Sequence, residues 1–338
     1  MSATAARQRN IIVIGASAGG IEALSQLLAL LPAELGAAIF VVVHVAADSP
    51  GMLPTILGRA GALPAETAKD GAAIQPGHIY VAPADRHLLL EQGYIRTTRG
   101  PKENRFRPAI DPLFRTAAQA YGPRVIGIVL SGALDDGTAG LWAIKDRGGL
   151  AIVQEPSTAA YPSMPLSALQ YVTVDYRVTI AEMGKLLPRL VDVAVEEREG
   201  STVSDKMQVE TRIAREENPL QAGVMSLGPL SPYTCPECSG VLVQLQDGNL
   251  VRFRCHTGHA YSVDTLLAGI TESIEKTLWN TVRSLEEHML LLRHLGEHAR
   301  TQQDQTLAHR LDVKAQSAED QVQIVRQLAM RQLNGDVG

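Results

Sequence analysis

Between residues 11 and 195, short β-branched runs alternate with stretches of helical spacing, and few folds accept that order. Ile11-Ile12-Val13-Ile14 reads as a buried strand cut off by Gly15, and residues 21–31 carry helical spacing that ends at Pro32. Residues 40–43 form a second apolar run, with further strand candidates at 78–82, 125–130, 150–154 and 171–174. Helical patterns fall at 111–120, 138–146 and 180–195. The alternation predicts an α/β fold: a doubly wound, mostly parallel sheet with helices on both faces. Aromatic residues are only 4% of the chain, while Ala, Val and Leu dominate its 45% hydrophobic content, which suits a helix-covered sheet better than a sandwich. Residues 88–96, with Gln92-Gly93 at the centre, predict an inserted β-hairpin.

The pattern dissolves after residue 195. Glu196-Glu197-Arg198-Glu199-Gly200 is charged and Gly228-Pro229-Leu230-Ser231-Pro232 is turn-rich, with a helix expected near 207–215. All three cysteines fall between 234 and 261. From Ser262 onward Leu266, Ile270, Ile274, Leu278, Val282, Leu285, Met289 and Leu292 step by three or four, and a break is expected at Gly296. Leu307, Leu311, Ala315, Val322, Val325 and Leu328 form a second stripe. The expected organisation is a catalytic domain over 8–195, a linker over 196–230, a metal-binding module over 231–262 and a helical hairpin over 263–334.

Gly15-Ala16-Ser17-Ala18-Gly19-Gly20 lies between the first strand and the first helix. Small neighbours permit a sharp turn that exposes the serine oxygen, and a helix N-terminus there offers amide donors to an oxyanion. The spacing is not that of a dinucleotide fingerprint, and no lysine follows to make a phosphate loop. On this turn alone, dinucleotide binding remains open. His44 ends the run Phe40-Val41-Val42-Val43, and Asp136 follows the strand at 125–130. In a parallel sheet these three residues emerge on one edge, where they suit a nucleophile, a general base and its orienter. Taken singly, His44 could be a satisfied strand-end histidine and Asp136 a helix cap.

With these residues placed, the chain resembles the catalytic domain of the chemotaxis protein-glutamate methylesterases of the CheB family. The resemblance runs from about residue 10 to 195. It rests on residues 12–20, Val43-His44, Pro76-Gly77-His78-Ile79-Tyr80-Val81-Ala82-Pro83, Arg107-Pro108-Ala109-Ile110-Asp111-Pro112-Leu113-Phe114, the Asp136-Gly137 loop and Ser163-Met164-Pro165. It implies a Ser17, His44, Asp136 triad and hydrolysis of glutamate γ-methyl esters on chemoreceptor-like proteins, releasing methanol without a catalytic cofactor. Glutamine deamidation by the same chemistry stays open. It also implies oxyanion donors at the backbone of Ala18 and Ala133, and substrate-side loops carrying Met164 and Arg107. Two departures stand out. The family loop T-G-M-G-x-D-G reads Ser131-Gly132-Ala133-Leu134-Asp135-Asp136-Gly137 here, which puts a leucine at a glycine position and makes Asp135 a rival carboxylate. The first strand also begins at Ile11, so no phosphorylatable receiver domain is expected ahead of it.

Cys235-Pro236-Glu237-Cys238 and Cys255-His256-Thr257-Gly258-His259 bring three thiols and imidazoles to zinc-ribbon spacing, across a hairpin turning at Asp247-Gly248. Cys235, Cys238, Cys255 and His259 are the expected ligands of a structural zinc, with His256 the alternative to His259. A closed four-ligand set leaves no open position for catalysis. Buried thiols in a reducing cytosol are the plain competing reading. Only Arg252 and Arg254 are basic nearby and the net charge is -5, so nucleic acid is not an expected partner. The polar start and the short apolar runs predict no signal peptide, no membrane insertion and a cytoplasmic protein. A signalling scaffold of the same fold, binding a methyltransferase or receptor without ester hydrolysis, is the alternative function.

Overall fold

The computed structural model describes residues 7–191, 193–195 and 203–334. The expected charged stretch at 196–200 lies outside them. The chain divides into two compact units, Met1–Leu266 and Leu267–Gly338.

The first unit is built on a seven-stranded parallel sheet: β1 (Ile11–Ala16), β2 (Ala38–Val43), β3 (Ala65–Thr67), β4 (Ile79–Val81), β5 (Val125–Val129), β6 (Leu150–Gln154) and β7 (Tyr176–Val178). Their order across the sheet is β7-β6-β5-β1-β2-β4-β3. β1 is central, pairing in register with β2 on one side and β5 on the other. β1, β2 and β5 are buried along their whole length, which explains why their sequences are continuous β-branched runs rather than alternating ones. Two apolar clusters divide the sheet's faces. One packs Val13, Phe40 and Val129 against helix Ile110–Tyr121, and the other packs Ile12, Ile14 and Val41 against helix Gly20–Ala29. The chain leaves β1 first toward β2 and later returns to β5 on its other side, so a crevice opens at the C-terminal ends of β1, β2 and β5.

The predicted hairpin forms as His87–Glu91 and Tyr94–Thr98, turning at Gln92-Gly93. The strand expected at 171–174 does not. Helix Ser163–Tyr171 runs into it, and the strand comes later, at Tyr176–Val178. A three-residue edge strand is too short to show a period that separates it from the end of a helix.

After the helix Asp205–Ala214, an antiparallel four-stranded sheet joins Leu230–Thr234, Val241–Asp247, Leu250–Cys255 and Ala260–Ser262. This module belongs to the first compact unit, and a fully buried ion network joins it there. Arg254, with no exposed surface, donates to Glu103 at 2.9 Å and to Glu210 at 2.8 Å. Arg252 donates to both oxygens of Glu210, at 2.8 and 3.0 Å, and to Asp247. Arg115 completes the set at 2.7 Å from Glu103. Three guanidiniums face three carboxylates, and the partly exposed Lys206 adds a further cation at 2.7 Å from Asp247. Each buried charge thus has an opposite partner, the condition under which buried charges are tolerated.

The second unit contains most of helix Val263–Thr301 and all of helix Gln305–Asn334. The break expected at Gly296 is absent, since the first helix runs on to Thr301. A side chain at Gly296 would sit 3.2 Å from Asp312 Oδ1, so the glycine marks a close approach between the helices instead of a helix end. No described helix is long and apolar enough to cross a membrane.

Candidate active site

Ser17 follows β1, His44 follows β2 and Asp136 follows β5, which brings the three to one edge of the sheet. His44 Nδ1 lies 3.1 Å from Ser17 Oγ, and His44 Nε2 lies 2.7 Å from Asp136 Oδ2. The imidazole thus presents Nδ1 to the serine and Nε2 to the carboxylate, opposite to the ring orientation of the chymotrypsin triad. The turn that carries Ser17 is tight. Gly19 has φ +69°, and a Cβ there would lie 2.7 Å from Ala160 Cβ. Gly132 is equally constrained, because a Cβ would fall 2.0 Å from Met164 Sδ and 2.9 Å from Ser17 Cβ.

Asp136 is buried and accepts from five donors. Its Oδ2 takes His44 Nε2 and the Ile110 N–H at 2.7 Å. Its Oδ1 takes Asn104 Nδ2 at 2.8 Å and the N–H groups of Gly137 and Asp111 at 2.9 and 3.3 Å. Burial pushes its pKa up, but the bonds from His44, Ile110 and Asn104 outweigh burial and hold the carboxyl below its ordinary value. Burial first, and then the charge on Asp136, push neighbouring Asp111 up to about 8. Asp135, the rival carboxylate, does not reach the imidazole. It turns the other way and accepts from Ser262 Oγ at 2.7 Å.

Leu134 stands at φ +60°, the left-handed conformation that the family's glycine would adopt freely. The loop therefore holds Leu134 there at a backbone cost of roughly 1–2 kcal/mol.

Burial pushes Asp135 up to about 7, against the opposing bond from Ser262. A folded-state pKa above the unfolded value means the folded chain binds the extra proton. The resulting stability is full below the unfolded pKa and is lost as pH rises through about 7. Wild type should therefore lose about 1 kcal/mol more than Asp135→Asn between about pH 6 and about pH 8 in urea melts. Equal losses in the two proteins would place the titration elsewhere.

Neither Met164 nor Arg107, from the loops expected on the substrate side, lines the cleft. Met164 is fully buried and wedges under Gly132, where its N–H bonds the Gly132 carbonyl at 3.0 Å. Arg107 spends its donors on Asp85 at 2.6 and 2.8 Å and on the carbonyls of Arg99 and Gly100. The residue that reaches the cleft is Phe106, which stacks on His44 with ring centroids 3.7 Å apart and planes 6° apart. Its only sequence signal was an aromatic beside the Arg107-Pro108 motif. The cleft is open, about 680 Å³, and is lined by Ser17, Ala18, Gly19, Ile21, Glu22, Val43, His44 and Phe106.

In the C-terminal module, Cys235, Cys238, Cys255 and His259 converge, with their ligand atoms within 4.8 Å of one another. Cys238 Sγ and Cys255 Sγ are 3.7 Å apart, and His259 Nδ1 is 3.6 Å from both Cys235 Sγ and Cys255 Sγ. A tetrahedral ion with metal–sulfur bonds of about 2.3 Å and metal–nitrogen bonds of about 2.0–2.1 Å has edges of roughly 3.8 and 3.6 Å. The donor set therefore fits such an ion and could hold one. Thr257 Oγ1 lies 3.1 and 3.0 Å from Cys238 and Cys255, and Tyr261 Oη lies 3.2 Å from Cys235, where hydroxyls can donate to thiolates. His256 is outside the cluster and instead packs against Gly240.

A hydroxyl, an imidazole and a carboxylate in hydrogen-bonded sequence, at the switch point of a doubly wound sheet, are the outline of a hydrolase. Residues 12–187 match the family model described as CheB methylesterase. A protein of Leptospira interrogans, named as a candidate protein-glutamate methylesterase/protein-glutamine glutaminase, is 40% identical over 188 residues, or 55% of this chain and 97% of that one. A protein-glutamate methylesterase/protein-glutamine glutaminase of Anaeromyxobacter dehalogenans is 37% identical over 180 residues, 53% of each chain. The crystal structure of the Thermotoga maritima CheB methylesterase catalytic domain matches with a TM-score of 0.53 and 32% identity, covering 54% of this chain and 98% of that one. The chain belongs to the CheB methylesterase family. The matched residues stop short of the cysteine-bearing module.

Proposed function

We propose that this chain hydrolyses glutamate γ-methyl esters on chemoreceptor-like proteins and releases methanol, with Ser17 as nucleophile. The observation that carries the reading is the unbroken contact series from Ser17 Oγ through His44 to Asp136, at 3.1 and 2.7 Å. His44 Nδ1 accepts the serine proton while Nε2–H donates to Asp136, which keeps the tautomer and stabilises the imidazolium. Ser17 Oγ attacks the ester carbonyl, His44 protonates the leaving methoxide, and water then cleaves the glutamyl-enzyme by the reverse proton path. Ser17 N–H is committed to Ser131 O and Gly132 N–H to Tyr161 O. We assign the oxyanion to the N–H groups of Ala18 and Ala133, each donor of this kind being worth about 3 kcal/mol. The open cleft suits a side chain presented on a protein surface. Glutamine deamidation follows the same path with ammonia leaving, and both relatives' names include that activity.

Residues 8–195 form the proposed catalytic domain, 196–230 the linker, 231–262 the metal module and 263–334 the helical hairpin. The metal is proposed to be a structural zinc held by Cys235, Cys238, Cys255 and His259, since a closed sulfur-rich tetrahedron favours that ion. It supplies folding energy to the module and takes no part in ester hydrolysis. A cytoplasmic location and a methyltransferase acting on the same substrate complete the proposal. The test is methanol release from carboxyl-methylated receptor fragments by the full chain. Steady release supports the esterase, whereas its absence in folded, metal-loaded protein would favour the scaffold reading.

A further inference from the structure

Asn104 lies in the loop before helix Ile110–Tyr121, is 4% exposed and stands at φ +50°, a conformation asparagine tolerates better than most residues. Its side-chain amide is fully used. The two Nδ2 hydrogens go to Asp136 Oδ1 and Asp111 Oδ2, both at 2.8 Å. Oδ1 accepts from the Ser262 N–H at 3.1 Å and from Thr265 Oγ1 at 3.2 Å. Two donors and two lone pairs are all that an asparagine amide possesses.

The orientation of this amide follows from its neighbours. The ionised Asp136 can be faced only by the NH2 end, and the Ser262 N–H can be faced only by the oxygen. A flipped amide would leave a carbonyl against Asp136 and an NH2 against the Ser262 N–H. The same turn grips the neighbouring residue as well, through Ser262 Oγ on Asp135 Oδ1 at 2.7 Å. Asn104 N–H also bonds the Ala260 carbonyl at 2.8 Å, tying the loop to the last strand of the C-terminal module.

We propose that Asn104 is a positioning residue for the Asp136 carboxylate, and that the end of the C-terminal module at Ser262 and the first turn of the helix that follows it, at Thr265, set its amide. The metal module is in this sense part of the active site, although none of its residues touches Ser17 or His44. The inference rests on the triad reading above, because it assigns Asp136 the task of orienting His44.

The experiment combines methanol release from carboxyl-methylated receptor fragments with proton NMR of the full, metal-loaded chain, labelled at histidine. The proton between His44 Nε2 and Asp136 gives a far-downfield, slowly exchanging resonance that reports the pair without catalysis. Asn104→Ala should lower kcat about tenfold with KM unchanged, and shift or broaden that resonance, because a hydrogen bond to a charged group is lost. Asn104→Asp should do more, since it keeps the shape but cannot donate. The double variant Ser262→Ala/Thr265→Val should move both readouts the same way, about threefold in kcat.

A folded Asn104→Ala protein with unchanged kcat and an unchanged resonance overturns the positioning role. An effect in the Asn104 variants with none in the double variant overturns the part assigned to the module. If Asn104→Ala does not fold, the double variant decides alone. If the wild type releases no methanol but the resonance responds as described, the esterase reading fails while the positioning role stands.

Discussion

Ser17→Ala should abolish methanol release, with a fall in kcat of about 10⁵–10⁶-fold, the range seen when a serine hydrolase loses its nucleophile. Alanine removes one oxygen and introduces nothing into a turn already closed by Ser131, Gly132 and Met164. Melting temperature and metal content should therefore stay at wild-type values, which separates loss of chemistry from loss of fold. Adding Asp136→Asn to the serine variant should cost little more, since the triad acts as a unit. Asp136→Asn alone should cost about 10⁴-fold, because an amide facing His44 favours the wrong tautomer. Retained methanol release in Ser17→Ala would move the nucleophile elsewhere and sink the mechanism.

The second large effect is expected from the metal. Protein purified without chelator should carry one zinc per chain by elemental analysis, and Cys255→Ser should carry none. Cys255 is fully buried and shares the cluster with Cys235, Cys238 and His259, so a serine there leaves a three-ligand remnant. Structural zinc contributes on the order of 10 kcal/mol in isolated finger peptides. Here the module also has a buried apolar interior, Leu242, Leu245, Leu250 and Phe253, and a backbone bond from Asn104 N–H to the Ala260 carbonyl, so a smaller loss is expected. A fall in melting temperature of roughly 10 °C or more follows from a loss of several kcal/mol. Amide hydrogen exchange should rise over residues 234–262 before it rises in β1, β2 and β5. Zinc bound at full occupancy in Cys255→Ser would contradict the assigned ligand set.

Much of the edge that brings Ser17, His44 and Asp136 together was legible in the sequence for one reason. A buried parallel strand is a continuous β-branched run, so its last residue can be located, and Ser17, His44 and Asp136 each follow such a run. The four converging side chains of the module were legible because proline and glycine bracket them at ribbon spacing. Phe106 and Asn104 were not legible. They sit in a loop without period, and the bond from Asn104 to Ser262 spans 158 residues, a pairing that no local pattern encodes. Met164 and Arg107 show the converse case. Each belongs to a motif shared with the family, yet one is a buried wedge and the other a loop clamp. The helix through Gly296 failed for a different reason, since glycine was read as a break where it serves a close approach.

The paired cluster of Arg115, Arg252, Arg254, Glu103, Glu210 and Asp247, with Lys206 at its edge, has a consequence for how this sequence can vary. Changing one of the six leaves an unmatched buried charge, at roughly 3–5 kcal/mol, whereas replacing a matched set by apolar residues can be neutral. Drift at these positions is therefore blocked one residue at a time and open only in compensated groups. In an alignment of relatives that carry the cysteine-bearing module, the catalytic domain, the linker helix and the module should change together here, as one inherited block.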